Sequence, residues 1–167
     1  CVELTVPLMQ LQGDATVKVN IASNSGAATT VFKKQGNIIF TNAQYFQLLN
    51  YQWIAGSQKQ AMANPFSVVL TQSRAQQYFP NISPQNIIGR QISYNDNLTA
   101  TVSGVVKDLD EKTFFKAAEF ISYATISKTA LQNDFMMNVW NDWMYNSQLF
   151  IRLSKNISPE RTKAQLE

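Results

Sequence analysis

Residues 65–108 read PFSVVLTQSRAQQYFPNISPQNIIGRQISYNDNLTATVSGVVKD and contain the clearest structural signals of the chain. The run Val68-Val69-Leu70 is short and apolar, which is typical of a buried strand. Thr71 or Ser73 then caps a short helix, and Pro80 ends it because proline disfavours helical dihedrals in the residue before it. The first half of the stretch therefore predicts a buried strand followed by a short helix.

The second half of the stretch predicts a hairpin. Gly89 precedes a strand at residues 90–94, and Asn95-Asp96-Asn97 forms a turn because Asn and Asp tolerate left-handed dihedrals. A longer strand follows at residues 98–107. Since side chains alternate along a strand, we expect one face to carry Ala100, Val102 and Gly104, and the other to carry Thr99, Thr101, Ser103 and Val105.

Alternating and apolar patterns predict further short elements outside this stretch. Strands are expected at residues 2–11, 15–21, 31–40 with a break near Gly36, 51–55 before Gly56, 120–125 and 148–153. Helices are expected at residues 42–49 with Thr41 as N-cap, at 126–137, and at 159–165 with Ser158 as N-cap. Strands and helices mix without a regular βαβ order, so the predicted fold class is α+β.

Composition narrows the class of protein. The chain has 167 residues, of which 45% are hydrophobic, enough for one domain or two small lobes. The net charge is only +3 and the 14 lysines and arginines are scattered, so the basic stripe of a nucleic-acid surface is missing. Only 15% of the residues are charged, whereas the chain contains 15 Asn and 16 Gln, whose side chains are polar amides. Amide-rich surfaces of this kind are common in secreted and periplasmic proteins.

Catalytic and cofactor motifs are missing from the sequence. The chain has no histidine, which excludes Ser-His-Asp triads, Cys-His pairs and imidazole metal ligands. Its six glycines never reach the spacing of a dinucleotide or phosphate loop. We therefore expect no catalytic residue, no cofactor and no metal.

Cys1 is the only cysteine, so no disulfide can form within the chain. A terminal cysteine can carry the lipid of a bacterial lipoprotein, but the alternation of Val2, Leu4 and Val6 just after it is that of a strand. We favour a chain end that was cut close to the first strand. Leu166-Glu167 is consistent with an addition from a vector. The apolar runs are far shorter than the ~20 residues that cross a bilayer, so any membrane segments are expected outside this sequence.

An acidic cluster is the first candidate for a contact or a site. Asp108, Asp110 and Glu111 follow the strand at residues 98–107. A cation site or a glycosidase-like pair of carboxylates is one interpretation. The other, which we favour, is a solvated loop, because no glycine-bearing calcium loop surrounds these residues.

Aromatic residues supply the second candidate. Phe114 and Phe115 follow the acidic cluster, and neighbours on an extended chain cannot both face inward. Trp140 and Trp143 are interpreted as core residues. The candidate partner contacts are Phe114, Phe115, Asp108 and Asp110.

Seven segments carry a pattern of apolar and turn positions that is found together in one family. They are Tyr45-Phe46 in a short helix, Tyr51-Gln52-Trp53-Ile54-Ala55-Gly56, Pro65-Phe66-Ser67-Val68-Val69-Leu70-Thr71-Gln72, Ala75, Tyr78-Phe79, Ile88-Gly89-Arg90 and Val102-Ser103-Gly104-Val105-Val106-Lys107-Asp108. The pattern resembles the MacB-like periplasmic core domain of ABC transporter permeases and covers roughly residues 40–153. The amide-rich style is similar to that of FtsX-like permeases of Bacteroidetes.

The resemblance implies a two-lobed architecture. One lobe is a porter-like α/β sandwich built from both chain ends, here residues 1–60 and 146–167. The other is an inserted β-rich lobe with short helices, here residues 61–145.

The resemblance also implies a location, partners and a mode of action. The domain is held in the periplasm by an inner-membrane permease. The permease works with a cytoplasmic ATPase subunit or a fused ATPase domain, with a second permease copy, and with a periplasmic adaptor or lipoprotein. ATP-driven movement of the membrane helices is passed through the domain to substrate or to periplasmic partners.

Three functions are compatible with these features of the sequence. The leading one is a non-catalytic extracytoplasmic domain of an ABC permease, and the alternative is a freestanding periplasmic binding module or lipoprotein. The third is an enzyme that uses carboxylates alone, which the lack of histidine disfavours. Long apolar runs on both sides of the chain would favour the first over the second. Unchanged turnover after Asp108 and Asp110 are replaced by Asn would exclude the third.

Overall fold

The structure, a computed structural model, describes residues 2–23, 26–109, 113–139, 147–155, 157–158, 160 and 162–163. Within them the strands are β1 Val2–Gln10, β2 Ala15–Ser23, β3 Gly26–Gln35, β4 Ile38–Thr41, β5 Trp53–Ala55, β6 Ser67–Thr71, β7 Gln91–Tyr94, β8 Leu98–Val106, β9 Glu119–Ser122 and β10 Ser147–Leu153. The helices are α1 Gln44–Leu48, α2 Gln58–Ala61, α3 Gln72–Tyr78, α4 Pro84–Ile87 and α5 Leu131–Asp134, with a 3-10 helix at Tyr123–Lys128. The α+β fold class is confirmed.

The ten strands of the described residues join one mixed sheet. Its order is β10-β1-β4-β9-β6-β8-β7-β2-β3, and β5 pairs with β8 beside this path. The pairs β4–β9 and β6–β8 are parallel. The other neighbours are antiparallel. Strands β10 and β3 therefore form the two ends of the path.

Two apolar clusters cover the two faces of this sheet. Phe40 and Leu70 belong to the larger cluster, which packs against α3, α4, α5 and the 3-10 helix. Their neighbours Ile39 and Val69 belong to the smaller cluster, which packs against α1 and α2. Successive residues enter opposite clusters because side chains alternate along a strand. Burial of both faces explains why the central strands are continuous apolar runs instead of alternating ones.

The structure confirms the predicted elements in residues 65–108 and adds the short helix α4 between α3 and β7. β6 leads into α3, whose N-cap is Thr71, because its Oγ1 accepts a hydrogen bond of 3.4 Å from the Arg74 backbone N–H. Asn95 and Asp96 have φ values of 50° and 59° and close the hairpin between β7 and β8. The local rules for helix caps and turns were therefore sufficient to predict the N-cap of α3 and the turn of the hairpin.

The predicted face of Val105 is wrong. Val105 enters the same apolar cluster as Val102, although the two residues are an odd number of positions apart. The register between β6 and β8 skips Ser103. This β-bulge adds one residue to β8 and reverses the alternation in the rest of the strand.

Thr41 is not the N-cap of the first helix. It is the last residue of β4, and its Oγ1 donates a hydrogen bond of 2.7 Å to the Pro7 carbonyl on the neighbouring strand β1. The helix begins at Gln44, whose backbone N–H is bound at 3.1 Å by the Asn42 side chain. The β-branched threonine extends the strand because it finds a partner there.

The helix predicted at residues 126–137 consists of two shorter pieces, the 3-10 helix and α5. Thr129 separates them: its backbone is extended, and its Oγ1 donates to the carbonyls of Thr125 and Ile126. β9 ends at Ser122, earlier than predicted, and β3 begins at Gly26, so the loop between β2 and β3 is shorter than expected. The helix predicted at 159–165 falls mostly outside the described residues.

The division into residues 1–60 with 146–167 and residues 61–145 stays a prediction. In the sheet, β1, β4 and β10 of the first group lie at one end of the path. β2 and β3 of the same group lie at the other end, where β2 pairs with β7 of the second group. Strands of the two predicted lobes are thus interleaved in one sheet.

Candidate functional site

The candidate site is built around residues 113–118, which we name the aromatic segment. Phe114 is fully exposed, with a relative accessibility of 103%. Phe115 points inward, where its ring meets those of Phe150 at 5.4 Å and Tyr45 at 6.4 Å. Two backbone hydrogen bonds hold Ala118, one from its N–H to the Asn37 carbonyl and one from the Thr71 N–H to its carbonyl. The segment is therefore anchored at its end while Phe114 projects into solvent.

A groove of about 740 Å³ lies beside the aromatic segment, and we name it the aromatic groove. Its walls come from β1, β4, β10, α1 and the segment itself. Its lining residues are Leu8, Gln10, Asn37, Ile39, Tyr45, Phe114, Phe115, Lys116, Ala117, Gln148, Leu149 and Phe150. Most of these are apolar, and of the described residues that line the groove only Lys116 is charged. Such a volume and lining are usual for ligand pockets.

Tyr45 lines this groove from the core side. Its side chain is fully buried, and its hydroxyl interacts with the Tyr51 side chain. Burial raises the Tyr45 pKa, and the charge of Tyr51 and a hydrogen bond between the two side chains raise it further. The Tyr51 ring stacks on that of Tyr45 at 6.0 Å, and burial raises the pKa of Tyr51 to about 12.

A smaller cavity of about 310 Å³ lies on the other side of the aromatic segment and shares Phe115, Lys116 and Ala117 with the groove. Asp108 lines it, together with Tyr51. The Asp108 Oδ2 accepts a hydrogen bond of 2.9 Å from the Ser73 backbone N–H in the first turn of α3. Asp108 thus stabilises the start of a helix. Asp110, like Glu111, lies outside the described residues.

Replacing Asp108 with alanine should lower the free energy of unfolding by about 1 kcal/mol, because α3 loses both a hydrogen bond and a negative charge at its N-terminus. The Asp108→Asn variant keeps an acceptor oxygen and should lose about half as much. Chemical denaturation of both variants measures the difference. Equal stability of Asp108→Ala and the wild type would contradict this role.

A buried polar cluster crosses the larger core, and it was not predicted. Glu119 is fully buried in β9, and its Oε1 and Oε2 accept hydrogen bonds of 2.6 Å from the hydroxyls of Tyr78 and Tyr94. The Arg74 Nη1 lies 3.4 Å from its Oε1. The same guanidinium donates to the Gln35 side chain and, at 2.9 Å, to the Gly36 carbonyl. The cluster ties α3 to β9, to β7 and to the turn between β3 and β4.

The enclosed position of this cluster indicates a structural role. Burial raises the pKa of Glu119, and the hydrogen bonds from Tyr78 and Tyr94 and the charge of Arg74 offset only part of that rise. Burial and the nearby carboxylate also raise the pKa of both tyrosines. A general acid or base must reach a substrate, whereas the Glu119 side chain is fully enclosed. The one signal in the sequence was a carboxylate between Ala118 and Phe120, inside an apolar strand.

Other predicted features can be placed only in part. Trp140 and Trp143 lie outside the described residues, so their assignment to the core stays a prediction. Among the residues described, no three His, Cys, Asp or Glu side chains stand close enough to hold a metal ion. Within the same residues, none of the helices has the length and apolar character needed to span a membrane.

Comparison with known proteins relates the chain to one family and to solved structures. The model of the family described as "MacB-like periplasmic core domain" matches residues 4–167. Among solved structures, the chain is similar to a domain of a protein named as a permease, from Porphyromonas gingivalis. The TM-score is 0.69 at 15% identity, over 99% of this chain and 67% of that chain, which shows a shared fold. No curated protein matches the chain.

Proposed function

The chain belongs to the family of MacB-like periplasmic core domains, and we propose that it is the non-catalytic extracytoplasmic domain of an ABC transporter permease. In this role it couples ATP-driven movement of membrane helices to periplasmic partners or to substrate export. The family match over residues 4–167 is the observation that carries the proposal. The lack of histidine and the enclosed position of Glu119 are consistent with a domain that performs no chemistry.

The packing of the domain suits the transmission of movement. One sheet runs through the described residues, both of its faces are covered, and the buried cluster around Glu119 ties a helix to strands on the same face. Such a body moves as a unit, because well-packed interiors are close to rigid. Force applied at one end of the sheet would then reach a partner at the other.

The contact with a partner is proposed at the aromatic segment. Phe114 is the most exposed large apolar side chain of the described residues, and aromatic side chains dominate the energetics of many interfaces. Phe115 packs behind Phe114 against the rings of Tyr45 and Phe150, and Asp108 lines the cavity on the other side of the segment. Asp110 is proposed to lie with them. The partner is a second permease copy, a periplasmic adaptor or a lipoprotein, and the energy comes from a cytoplasmic ATPase subunit or fused ATPase domain. The permease is proposed to reside in the inner membrane.

Cysteine labelling in intact cells tests this function. In a Cys1→Ser background, a Phe114→Cys variant of the protein should react with a maleimide that crosses the outer but not the inner membrane. ATP turnover should change its labelling rate more than that of Lys128→Cys, a control at another exposed position. Labelling of Phe114→Cys only after the inner membrane is broken would exclude a periplasmic location. Equal rates with and without ATP would exclude coupling at this segment.

A further inference from the structure

We propose that the outer edge of β3 pairs with the same edge of a second copy of this chain. The two strands run antiparallel in this contact, with Thr30 opposite Thr30 of the second copy. The surface is separate from the aromatic segment, and the contact forms whether or not the domain transmits movement. Three features of β3 support it: its position in the sheet, the composition of its edge, and the place of its charges.

β3 is the last strand of the sheet path. Among the residues described it pairs only with β2. The pairing of β2 with β7 covers only residues 17–19, so the β2–β3 hairpin extends past β7. Along β3, Ala28 and Thr29 are exposed and Val31 is 46% exposed, so this edge is open to solvent. The backbone N–H and C=O groups of an open edge are a template for a further strand.

The edge lacks the usual protection over most of its length. Natural sheets protect such edges with charged side chains, proline or bulges. Residues 26–32 read GAATTVF, with no charge and no proline, and three β-branched residues at 29–31 favour an extended chain. Lys33 and Lys34 follow, and β3 carries one extra residue here, with a φ of 55° at Lys34. Charge and bulge therefore protect only the end of the strand.

The place of the charges favours a second copy in the antiparallel direction. With Thr30 on the two-fold axis, Lys33 lies opposite residue 27 of the second copy, which is uncharged. The two copies of Lys33 are then about 20 Å apart, because each residue of a strand rises about 3.4 Å. That separation is about twice the Debye length at 0.1 M salt, so their repulsion is screened. Parallel pairing would instead place the lysines side by side.

The same register is self-complementary in its side chains. It places Thr30 opposite its own counterpart and Thr29 opposite Val31 of the second copy. Pairs of β-branched residues across two strands stabilise a sheet. One pair of seven-residue strands buries less than the roughly 1,200 Å² of a standard interface. We therefore expect a weak dimer, with a dissociation constant of about 10–100 µM.

Sedimentation equilibrium of the protein, from about 5 to 500 µM, tests this contact. We expect a reversible monomer–dimer equilibrium. Val31→Glu should weaken it about tenfold, because the two new carboxylates lie about 8 Å apart across the axis, and 1 M salt should restore part of the loss. Within one copy the new carboxylate faces Lys18 on β2, so the melting temperature should not fall. Val2→Glu is the matched control, since Val2 is 47% exposed on β1, and it should leave the association unchanged.

Cysteine crosslinking tests the register. In a Cys1→Ser background, oxidation with copper phenanthroline should join two copies of Thr30→Cys faster than two copies of Thr29→Cys, because only residue 30 is opposite itself. Phe114→Ala should not change the association, which separates this contact from one at the aromatic segment. The proposal is overturned if the protein stays monomeric at every concentration, if Val31→Glu associates as well as the wild type, or if Thr29→Cys crosslinks as fast as Thr30→Cys.

Discussion

Replacing Glu119 with alanine should lower the free energy of unfolding by about 3–5 kcal/mol, among the largest losses expected from a single side chain. The change leaves the hydroxyls of Tyr78 and Tyr94 without their 2.6 Å acceptors inside the core. It also removes the carboxylate beside the Arg74 guanidinium, whose side chain is only 10% exposed. A buried charge and two buried hydroxyls that lose their partner each carry a desolvation cost. Urea denaturation followed by circular dichroism measures the loss.

Two control variants separate the cluster from general effects of substitution. Glu119→Gln keeps the size of the side chain and an oxygen for one tyrosine, so it should lose only about 1–2 kcal/mol. Glu3→Ala removes an exposed carboxylate of β1 and should change stability by less than about 0.5 kcal/mol. If Glu119→Ala were no less stable than Glu3→Ala, the cluster would not contribute to the fold.

The pH dependence of the same variants has a defined sign. Burial raises the Glu119 pKa above its ordinary 4.5, so the folded protein holds this proton more tightly than the unfolded chain does. Binding of this proton therefore stabilises the fold fully at pH values below the pKa of Glu119 in the unfolded chain. This stabilisation is lost as the pH rises through the pKa of Glu119 in the folded protein. Relative to Glu119→Gln, which does not titrate, the wild type should therefore lose stability as the pH rises from 4.5. A gain over that interval would show that Arg74 lowers the pKa more than burial raises it.

The parts of the fold that follow local rules were predictable from the sequence. Thr71 caps α3 and Asn95-Asp96 turns the β7–β8 hairpin, because the relevant partners lie within a few residues. The predictions fail where a residue that is distant in the sequence determines the local structure. Thr41 remains in a strand because β1 offers the Pro7 carbonyl, and Val105 changes face because β6 imposes a bulge on β8. Neither partner can be found by reading the local pattern.

The candidate site, like the fold, could be predicted only in part from the sequence. Alternation along an extended segment predicted that only one of Phe114 and Phe115 could face inward, and Phe115 does. The buried cluster was missed because Tyr78 and Tyr94 are 41 and 25 residues from Glu119 in sequence. Partner roles for Phe114, Phe115, Asp108 and Asp110 remain predictions.

Replacing Gly56 with alanine is the second change from which we expect a large loss, about 2–5 kcal/mol of unfolding free energy. Gly56 ends β5 with a φ of +76°, a left-handed conformation that costs any residue with a Cβ. A Cβ at this position would also lie 2.5 Å from the Ser103 carbonyl oxygen and 3.0 Å from the Gly104 Cα. Both atoms belong to the backbone of β8, at its bulge, so no side-chain rotation can relieve the overlap. The β5–β8 pairing would have to open.

Gly13→Ala is the matched control for this prediction. Gly13 has a similar φ of +70°, but nothing lies within 4 Å of the place its Cβ would take. It should therefore show the conformational strain alone, about 1 kcal/mol. The difference between the two variants in denaturant unfolding gives the cost of the contact with β8. An equal loss for both would mean that β5 moves away from β8 freely, and that this side of the sheet is not the rigid body that transmission of force requires.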